Sequence, residues 1–270
     1  MSNFFKINTY LRLIHSRLIC IIAIVVIFLS CSDDSEERIT SMGFSGGHYL
    51  EVRNSTTLKS LVSSDFTIEI WAAGDTSQAV VSRSLVMFGN NDGGNEIAIY
   101  QGPGDSSLVT VYIDDQWFGF FNIDGLDWSK EKCHYLCLTR ADNFFTFYFD
   151  GKLLKTEALN SVDLDIGSSN MLIGADYDPP DVNNNPGNYW EGTIDEVRIW
   201  TKVIQSAEVS FHHKNPDKLT EHYSSAGLDH LIGIWRFNEE FEDFVPDESG
   251  NANHAYFQGD PGSIYWDTGK

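Results

Sequence analysis

Residues 176–190 bring aromatic, carboxylate and amide side chains together in one short run. The rings of Tyr177, Tyr189 and Trp190 can stack on the apolar C–H face of a sugar, and Asp178 can accept its hydroxyl groups. The carboxylates are also candidate ligands of a cation, although without EF-hand spacing. About fifteen residues is long for a loop in a small domain, and such loops are commonly functional or disordered. The alternative is a solvated insertion whose Trp190 packs in the core.

A second aromatic cluster occupies residues 114–128. In strand geometry Trp117 and Phe121 share one face, while Phe118 and Phe120 share the other. At least one set must pack in the core. The other set is either covered by a loop or forms an exposed binding platform, so Trp117 is a further candidate for ligand binding.

The elements that must position these side chains read as strands. Apolar and polar residues alternate in runs such as 66–70 and 145–149, and Gly, Asn, Asp or Pro interrupts the pattern about every eight to twelve residues. Asp150-Gly151 is typical of a β-hairpin turn. Only residues 206–213 favour a helix, with Ser206 as its cap. The absence of βαβ spacing predicts an all-β protein, a sandwich or jelly roll.

Six segments carry a family resemblance. They read FTIEIW (66–71), CHYLCLTR (133–140), FTFYFDGKLL (145–154), LIGADY (172–177), GTIDEVRIW (192–200) and IGIWRFNEEFEDFVPDESGNANHAYFQG (232–259). Their order and spacing resemble laminin-G-like domains of the concanavalin A-like lectin and glucanase superfamily. The resemblance implies a jelly-roll sandwich of two antiparallel sheets. The sixth segment usually opens such domains, so here it either completes the sandwich or begins a second repeat. About thirty residues cannot build a second core, and we expect one domain over residues 43–270.

Glucanases of this superfamily carry a Glu-x-Asp-x-x-Glu strand, because a retaining hydrolase needs two carboxyl groups about 5.5 Å apart. The nearest match here is Glu191, Asp195 and Glu196. The spacing departs from the pattern, and Asp195 and Glu196 point to opposite faces of a strand. We therefore predict no catalytic residues and no enzymatic activity.

The resemblance also implies calcium, which takes six to eight oxygen ligands at about 2.3–2.6 Å. Strand alternation places Asp195 on the face of Val197 and Ile199, which should be buried, and an unpaired buried carboxylate is costly. The DESGNAN turn (247–253) offers further oxygens. The predicted metal ligands are Asp195, Asp247, Asn251, Asn253, Asn238 and Glu239. The alternative is that backbone N–H groups of a neighbouring loop compensate Asp195.

The N-terminal residues have the pattern of a targeting signal. An unbroken apolar run from Leu18 to Leu29 follows three basic residues, and it is shorter than the roughly 20 residues that a spanning helix needs. Ser30-Cys31 after this run resembles the lipobox of bacterial lipoproteins, which implies lipidation of Cys31. We expect a signal peptide at 1–30 and an acidic tether at 31–42, which resembles tethers that route lipoproteins to the outer surface of the outer membrane.

The chain has 39 acidic and 18 basic residues, a net charge of −21. So acidic a surface repels phosphate, which argues against nucleic acid and leaves the lipid anchor as the only expected contact with the membrane. The sequence therefore predicts a surface-exposed lipoprotein whose laminin-G-like domain binds a glycan or polysaccharide, with calcium as a cofactor. The alternatives are a protein-binding adhesin or assembly module and, behind it, a glycoside hydrolase.

Overall fold

The computed structural model describes residues 40–53, 56–74, 82–89, 96–102, 108–114, 116–126, 128, 132–160, 162, 164, 170–177, 186–222 and 225–268. The expected signal peptide, Cys31 and nearly all of the tether lie outside the described residues. Within the described part of the chain, no helix is long and apolar enough to cross a membrane.

Strands dominate the described residues, as the alternating pattern predicts. They are β1 (Ser41–Ser45), β2 (His48–Val52), β3 (Phe66–Gly74), β4 (Arg83–Phe88), β5 (Ile97–Gln101), β6 (Leu108–Ile113), β7 (Gln116–Asn122), β8 (His134–Ala141), β9 (Phe144–Phe149), β10 (Lys152–Ala158), β11 (Met171–Ile173), β12 (Glu191–Trp200), β13 (Leu231–Arg236), β14 (Phe244–Val245), β15 (Ala255–Gly259) and β16 (Ile264–Asp267). The predicted all-β fold class is confirmed.

The strands form two antiparallel sheets of eight strands each. Sheet 1 has the order β10-β9-β8-β3-β12-β1-β16, with β13 also paired to β12, and sheet 2 has the order β14-β15-β2-β11-β4-β5-β6-β7. Alternate residues of the central strands face a shared core, to which Ile68 and Ile70 of sheet 1 and Leu50 and Val52 of sheet 2 contribute. Burial of these apolar side chains between two layers is the main stabilisation of a sandwich.

The late segment of the chain completes this sandwich. Strand β13 pairs with β12 in sheet 1, and β15 pairs with β2 in sheet 2. Residues 231–259 therefore contribute to both layers of one core, and they do not begin a second repeat.

The helices are short. They are α1 (Thr56–Lys59), α2 (Ser206–Lys214), α3 (Leu219–His222) and α4 (Ser225–Leu228). The predicted helix is α2, but its cap is one residue earlier than expected. Gln205 is the N-cap and exchanges hydrogen bonds with Glu208 in a capping box, so Ser206 is the first helical residue.

Helices α2 to α4 lie against the outer face of sheet 1, which points away from the core. Val209 of α2 and Leu219 of α3 are buried there in a second apolar cluster with Trp71, Tyr135 and Trp200 of the sheet. This cluster means that the central strands of sheet 1 are covered on both faces.

Glu69 of β3 lies at the centre of this covered face and is 0% exposed. Its carboxylate accepts hydrogen bonds from the Tyr135 hydroxyl at 2.6 Å and Trp200 Nε1 at 2.7 Å, and Nδ1 of His212 lies 2.8 Å away. Burial alone would raise the pKa of Glu69, but the hydrogen bond with His212 and the charges nearby outweigh it and lower that pKa. The carboxylate thus joins β3, β8, β12 and α2.

We expect Glu69→Leu to lower the free energy of unfolding by about 4 kcal/mol, because three buried polar groups lose their partner. Urea unfolding at pH 7 measures the change. The matched control is Glu242→Leu at an exposed position, which should change stability by less than about 0.5 kcal/mol. Equal midpoints for the two variants would contradict the role given to Glu69.

Candidate functional site

The outer face of sheet 2 carries a third, smaller apolar cluster. Met87, Ala98, Tyr100, Leu172 and Tyr177 are buried together there, with Tyr49 and Tyr112 packed against them. The described helices α2 to α4 pack on the other sheet. The candidate site therefore lies on the outer face of sheet 2, where side chains at the β7 end are exposed although those of the central strands are buried.

Strand register aligns one row of side chains across this whole face. Direct partners in neighbouring antiparallel strands share a face, so pairings can be followed from one edge of the sheet to the other. The row runs Phe244, Tyr256, Glu51, Leu172, Met87, Ala98, Tyr112 and Trp117. Seven strand spacings of about 4.8 Å make the row about 34 Å long.

Trp117 and Phe120 form an exposed aromatic pair at the β7 end of this face. They are 49% and 56% exposed, and their ring centroids are 4.8 Å apart. Tyr112 on β6 is 4.9 Å from the Trp117 ring. Trp117 is thus accessible, as a ligand-binding residue must be.

The sequence pattern assigned these rings to the wrong faces, and a β-bulge is the reason. Gly119 and Trp117 oppose two successive residues of β6, so Phe118 is an extra residue and the alternation shifts by one. Phe118 and Phe121 face the core, whereas Trp117 and Phe120 face outward. A Cβ at Gly119 would lie 2.3 Å from the Phe121 ring, so a larger residue at this position would require that ring to shift.

Tyr177 and Tyr189 lie at the other end of the same face. The ring of Tyr189 is 6.3 Å from that of Tyr49 on β2. Burial, followed by Tyr177, the neighbouring carboxylate of Glu51 and Tyr189, raises the pKa of Tyr49 to about 12. The phenol of Tyr49 is therefore a neutral hydroxyl group that can donate a hydrogen bond to a ligand.

The base of the predicted long loop is closed by backbone pairing. Asp176 and Gly187 exchange two hydrogen bonds, and Asn188 Nδ2 donates to Asp176 Oδ1 at 3.2 Å. This closure brings Tyr177 and Tyr189, predicted as ligand-binding residues from the same run, to one place. Asp178 lies outside the described residues.

Trp190 is not part of this surface. It is 0% exposed, and its ring packs edge-on against Trp128 at 5.6 Å within the main core. The prediction that Trp190 binds a ligand is therefore wrong, and the alternative that it packs in the core holds. An indole beside a hydrophobic strand gains more from burial than from stacking on a solvated ligand.

Three residues of the face escaped the sequence analysis, namely Tyr49, Tyr100 and Tyr112. Tyr49, Tyr100 and Tyr112 do alternate with core residues along their strands. That alternation could have identified them as facing away from the core, but it does not show to which of the two sheets they belong.

The predicted metal ligands are spread over several elements. Strand β12 has a bulge at Asp195, which puts Ile194 rather than Asp195 in the core with Val197 and Ile199. Asp195 is half-buried, and burial, then the neighbouring carboxylates of Glu196 and Asp217, raises its pKa to about 7. The expectation that strand alternation buries Asp195 in the core is thus wrong.

The DESGNAN turn is held by its own hydrogen bonds. Asp247 accepts from the backbone N–H groups of Ile234, Ser249 and Asn253 and from the Ser249 hydroxyl. Asn253 donates to the Ile232 carbonyl at 2.7 Å. Asn238 and Glu239 are exposed, and Asn251 donates to the Leu231 carbonyl. Among the described residues, no three His, Cys, Asp or Glu side chains are grouped to hold a metal ion.

The carboxylates nearest to the glucanase pattern are engaged in ion pairs. Glu191 pairs with the buried Arg83 at 2.6 Å, and Glu196 pairs with Arg198 and Arg236. Each of these two carboxylates is held in an ion pair within the fold and is not free to act on a glycosidic bond. This arrangement is typical of carboxylates that stabilise the fold and not of a pair that hydrolyses a glycosidic bond.

Comparison with known structures finds the same fold in proteins connected with carbohydrates. A proposed carbohydrate-binding protein from Bacteroides ovatus superposes with a TM-score of 0.62 at 15% identity, over 85% of this chain. The chain spans only 60% of the length of that protein. The CBM40 module of the Ruminococcus gnavus IT-sialidase, bound to α2,3-sialyllactose, superposes with a TM-score of 0.51 at 13% identity, over 64% of this chain and 96% of the module. At these identities the likeness shows the fold alone.

Sequence comparison gives a second line of evidence. No curated protein matches the chain. A laminin-G family described as part of the concanavalin A-like lectin/glucanases superfamily matches residues 44–210, more than half of the chain. With the two-sheet sandwich, this match shows that the chain belongs to the concanavalin A-like lectin/glucanases superfamily.

Proposed function

We propose that this protein is a surface-exposed lipoprotein that binds a glycan on the outer face of sheet 2. The observation that carries the proposal is the exposed pair of Trp117 and Phe120, which lies on that face beside Tyr112. Large aromatic side chains gain free energy from burial, so a contiguous exposed set marks a binding surface. Flat rings of this kind stack on the C–H face of a pyranose.

Polar groups on the same face complement the rings. The phenols of Tyr49 and Tyr177 and the carboxylate of Glu51 lie together at the other end of the row. Asn170 Nδ2 donates to Glu51 Oε1 at 2.5 Å, which fixes the carboxylate in place. Sugar hydroxyl groups both donate and accept hydrogen bonds, so these groups suit them. The net charge of −21 favours neutral glycans over acidic ones.

A protein-binding role is the second candidate, because one observation favours it. Phe144, Leu153 and Leu154 on β9 and β10 are exposed at 52%, 56% and 39%. They lie on sheet 1, away from the row of aromatic residues on sheet 2. Exposed apolar residues at a sheet edge are typical of protein contacts.

We expect Trp117→Ala to weaken glycan binding by about tenfold, since a lost stacking contact costs about 1.4 kcal/mol. The full chain in detergent is screened against neutral and acidic polysaccharides, and calorimetry then measures the affinity for the strongest ligand. The matched control is Phe144→Ala, which removes an equally exposed ring from sheet 1. If no polysaccharide in the panel binds, the protein-binding role is favoured. If both variants lose the same affinity, the glycan does not bind on the outer face of sheet 2.

We propose that Cys31 carries the lipid, because it follows the apolar run and small Ser30 directly. Several acyl chains on one cysteine anchor a protein stably, at roughly 0.8 kcal/mol for each buried CH₂ group. Cells grown with labelled palmitate should incorporate it into the wild-type chain and lose it in Cys31→Ala. Incorporation that persists in the variant would exclude this anchor.

Calcium binding stays a prediction. Its strongest support is Asp195, because burial, followed by the carboxylates of Glu196 and Asp217, raises the pKa of its carboxyl group to about 7 and makes the charged form costly. A bound cation would offset that cost and stabilise the folded state. We expect a higher melting temperature in millimolar calcium than in chelator, and the difference should disappear in Asp195→Asn. Equal melting temperatures for the wild-type chain in the two conditions would remove calcium from the proposal.

A further inference from the structure

A pocket of about 330 Å³ opens at one end of sheet 1. Three segments meet there, namely the loop before β3, the turn between β8 and β9, and the chain that follows β10. The residues that line the pocket include Ser63, Asp65, Arg140, Asp142, Asn143 and Leu159. The row of aromatic residues on sheet 2 contributes no side chain to it, so this pocket, called the Asp142 pocket below, is separate from the glycan face.

Three hydrogen bonds fix the walls of the Asp142 pocket. The Asp142 N–H donates to Asp65 Oδ1 at 2.9 Å, and Arg140 Nε donates to the Asp142 carbonyl at 2.8 Å. The Leu159 N–H donates to the Asn143 carbonyl at 2.9 Å. The three segments are therefore tied to one another without a ligand, and a preformed pocket loses less entropy on binding.

The lining of the pocket has both polar and apolar sides. Leu159 and Val162 form the apolar side. Ser63, Asp142 and Asn143 bring a hydroxyl, a carboxylate and an amide, and these side-chain groups make no hydrogen bond within the described part of the chain. Two carboxylates, those of Asp65 and Asp142, accompany one guanidinium group, so the lining is negative overall.

We propose that the Asp142 pocket is a second binding site, for a single hydroxyl-rich ring that is neutral or carries an ammonium group. Hydroxyl groups donate to carboxylates and accept from amides, and the C–H face of such a ring packs against Leu159 and Val162. The volume is at the lower end of the roughly 300–1,000 Å³ of ligand pockets, which suits one ring rather than a chain. The excess of carboxylates disfavours an acidic ring. The proposal does not depend on the function of sheet 2.

The test uses glucose, glucosamine and glucuronate as probes of the three charge states. Each is titrated into the full chain in detergent, and saturation-transfer NMR measures the dissociation constant. We expect glucosamine to bind at least threefold more tightly than glucuronate, with glucose between them. Equal constants for the three probes, or no binding of any of them, would overturn the proposal.

A conservative variant locates the bound ring. Asp142 has a positive φ of 52°, which Asn also tolerates, so Asp142→Asn removes the charge and keeps the turn. We expect this variant to bind glucosamine at least fivefold more weakly. The matched control, Asp229→Asn, makes the same charge change at an exposed site and should leave binding unchanged.

Trp117→Ala separates this proposal from the one for sheet 2. The Asp142 pocket predicts that the variant still binds the single rings while its affinity for a polysaccharide falls. If Trp117→Ala abolishes binding of the single rings and Asp142→Asn does not, the rings sit on sheet 2, and only the pocket proposal is overturned. If polysaccharides do not bind at all but Asp142→Asn weakens glucosamine binding, the pocket stands without the glycan face.

Discussion

The carboxylate of Glu69 accepts hydrogen bonds from β8 and β12 and lies within bonding distance of His212 on α2, at a point where none of the four residues exposes more than 1% of its surface. A charge removed from water is tolerable only when such partners replace the lost hydration. Helix α2 has nine residues, too few to be stable by itself in water. Its position therefore depends on this carboxylate and on the apolar cluster around it, and so does the cover over sheet 1.

The helices cover the central strands of sheet 1 on its outer face, and the outer face of sheet 2 is the one that carries the exposed aromatic pair. An antiparallel sheet needs only one buried face, so sheet 2 can pack on the core while Trp117 and Phe120 at its β7 edge stay exposed on the other side. Its strands are fully paired from β14 to β7, and each pairing keeps side chains in line with those of the next strand. The row from Phe244 to Trp117 is a consequence of that register. A surface of this kind is rigid, because its side chains are carried by strands and not by loops.

Much of this architecture follows from the sequence alone. Alternation along residues 66–70 and 145–149 correctly gives strands β3 and β9, because each faces the core on one side. The same rule fails at Asp195 and in the Trp117–Phe121 run, since a bulge is set by the partner strand and leaves no local signal. The prediction for Trp190 fails for a different reason. Its neighbours in the chain are polar, and only the assembled sandwich brings Trp128 against it.

The two bulges act in opposite ways: the one in β12 keeps apolar side chains in the core, whereas the one in β7 turns aromatic side chains outward. In β12 the extra residue is Asp195, and the shift keeps Ile194 and Val197 together in the core while Glu196 faces the arginines. In β7 the extra residue is the apolar Phe118, and the shift turns Trp117 and Phe120 outward together. Without that shift the two rings would lie on opposite faces, because they are three residues apart. One irregular residue in an edge strand thus creates the only aromatic pair among the large exposed hydrophobic side chains of the described residues, and the proposed glycan site depends on that pair.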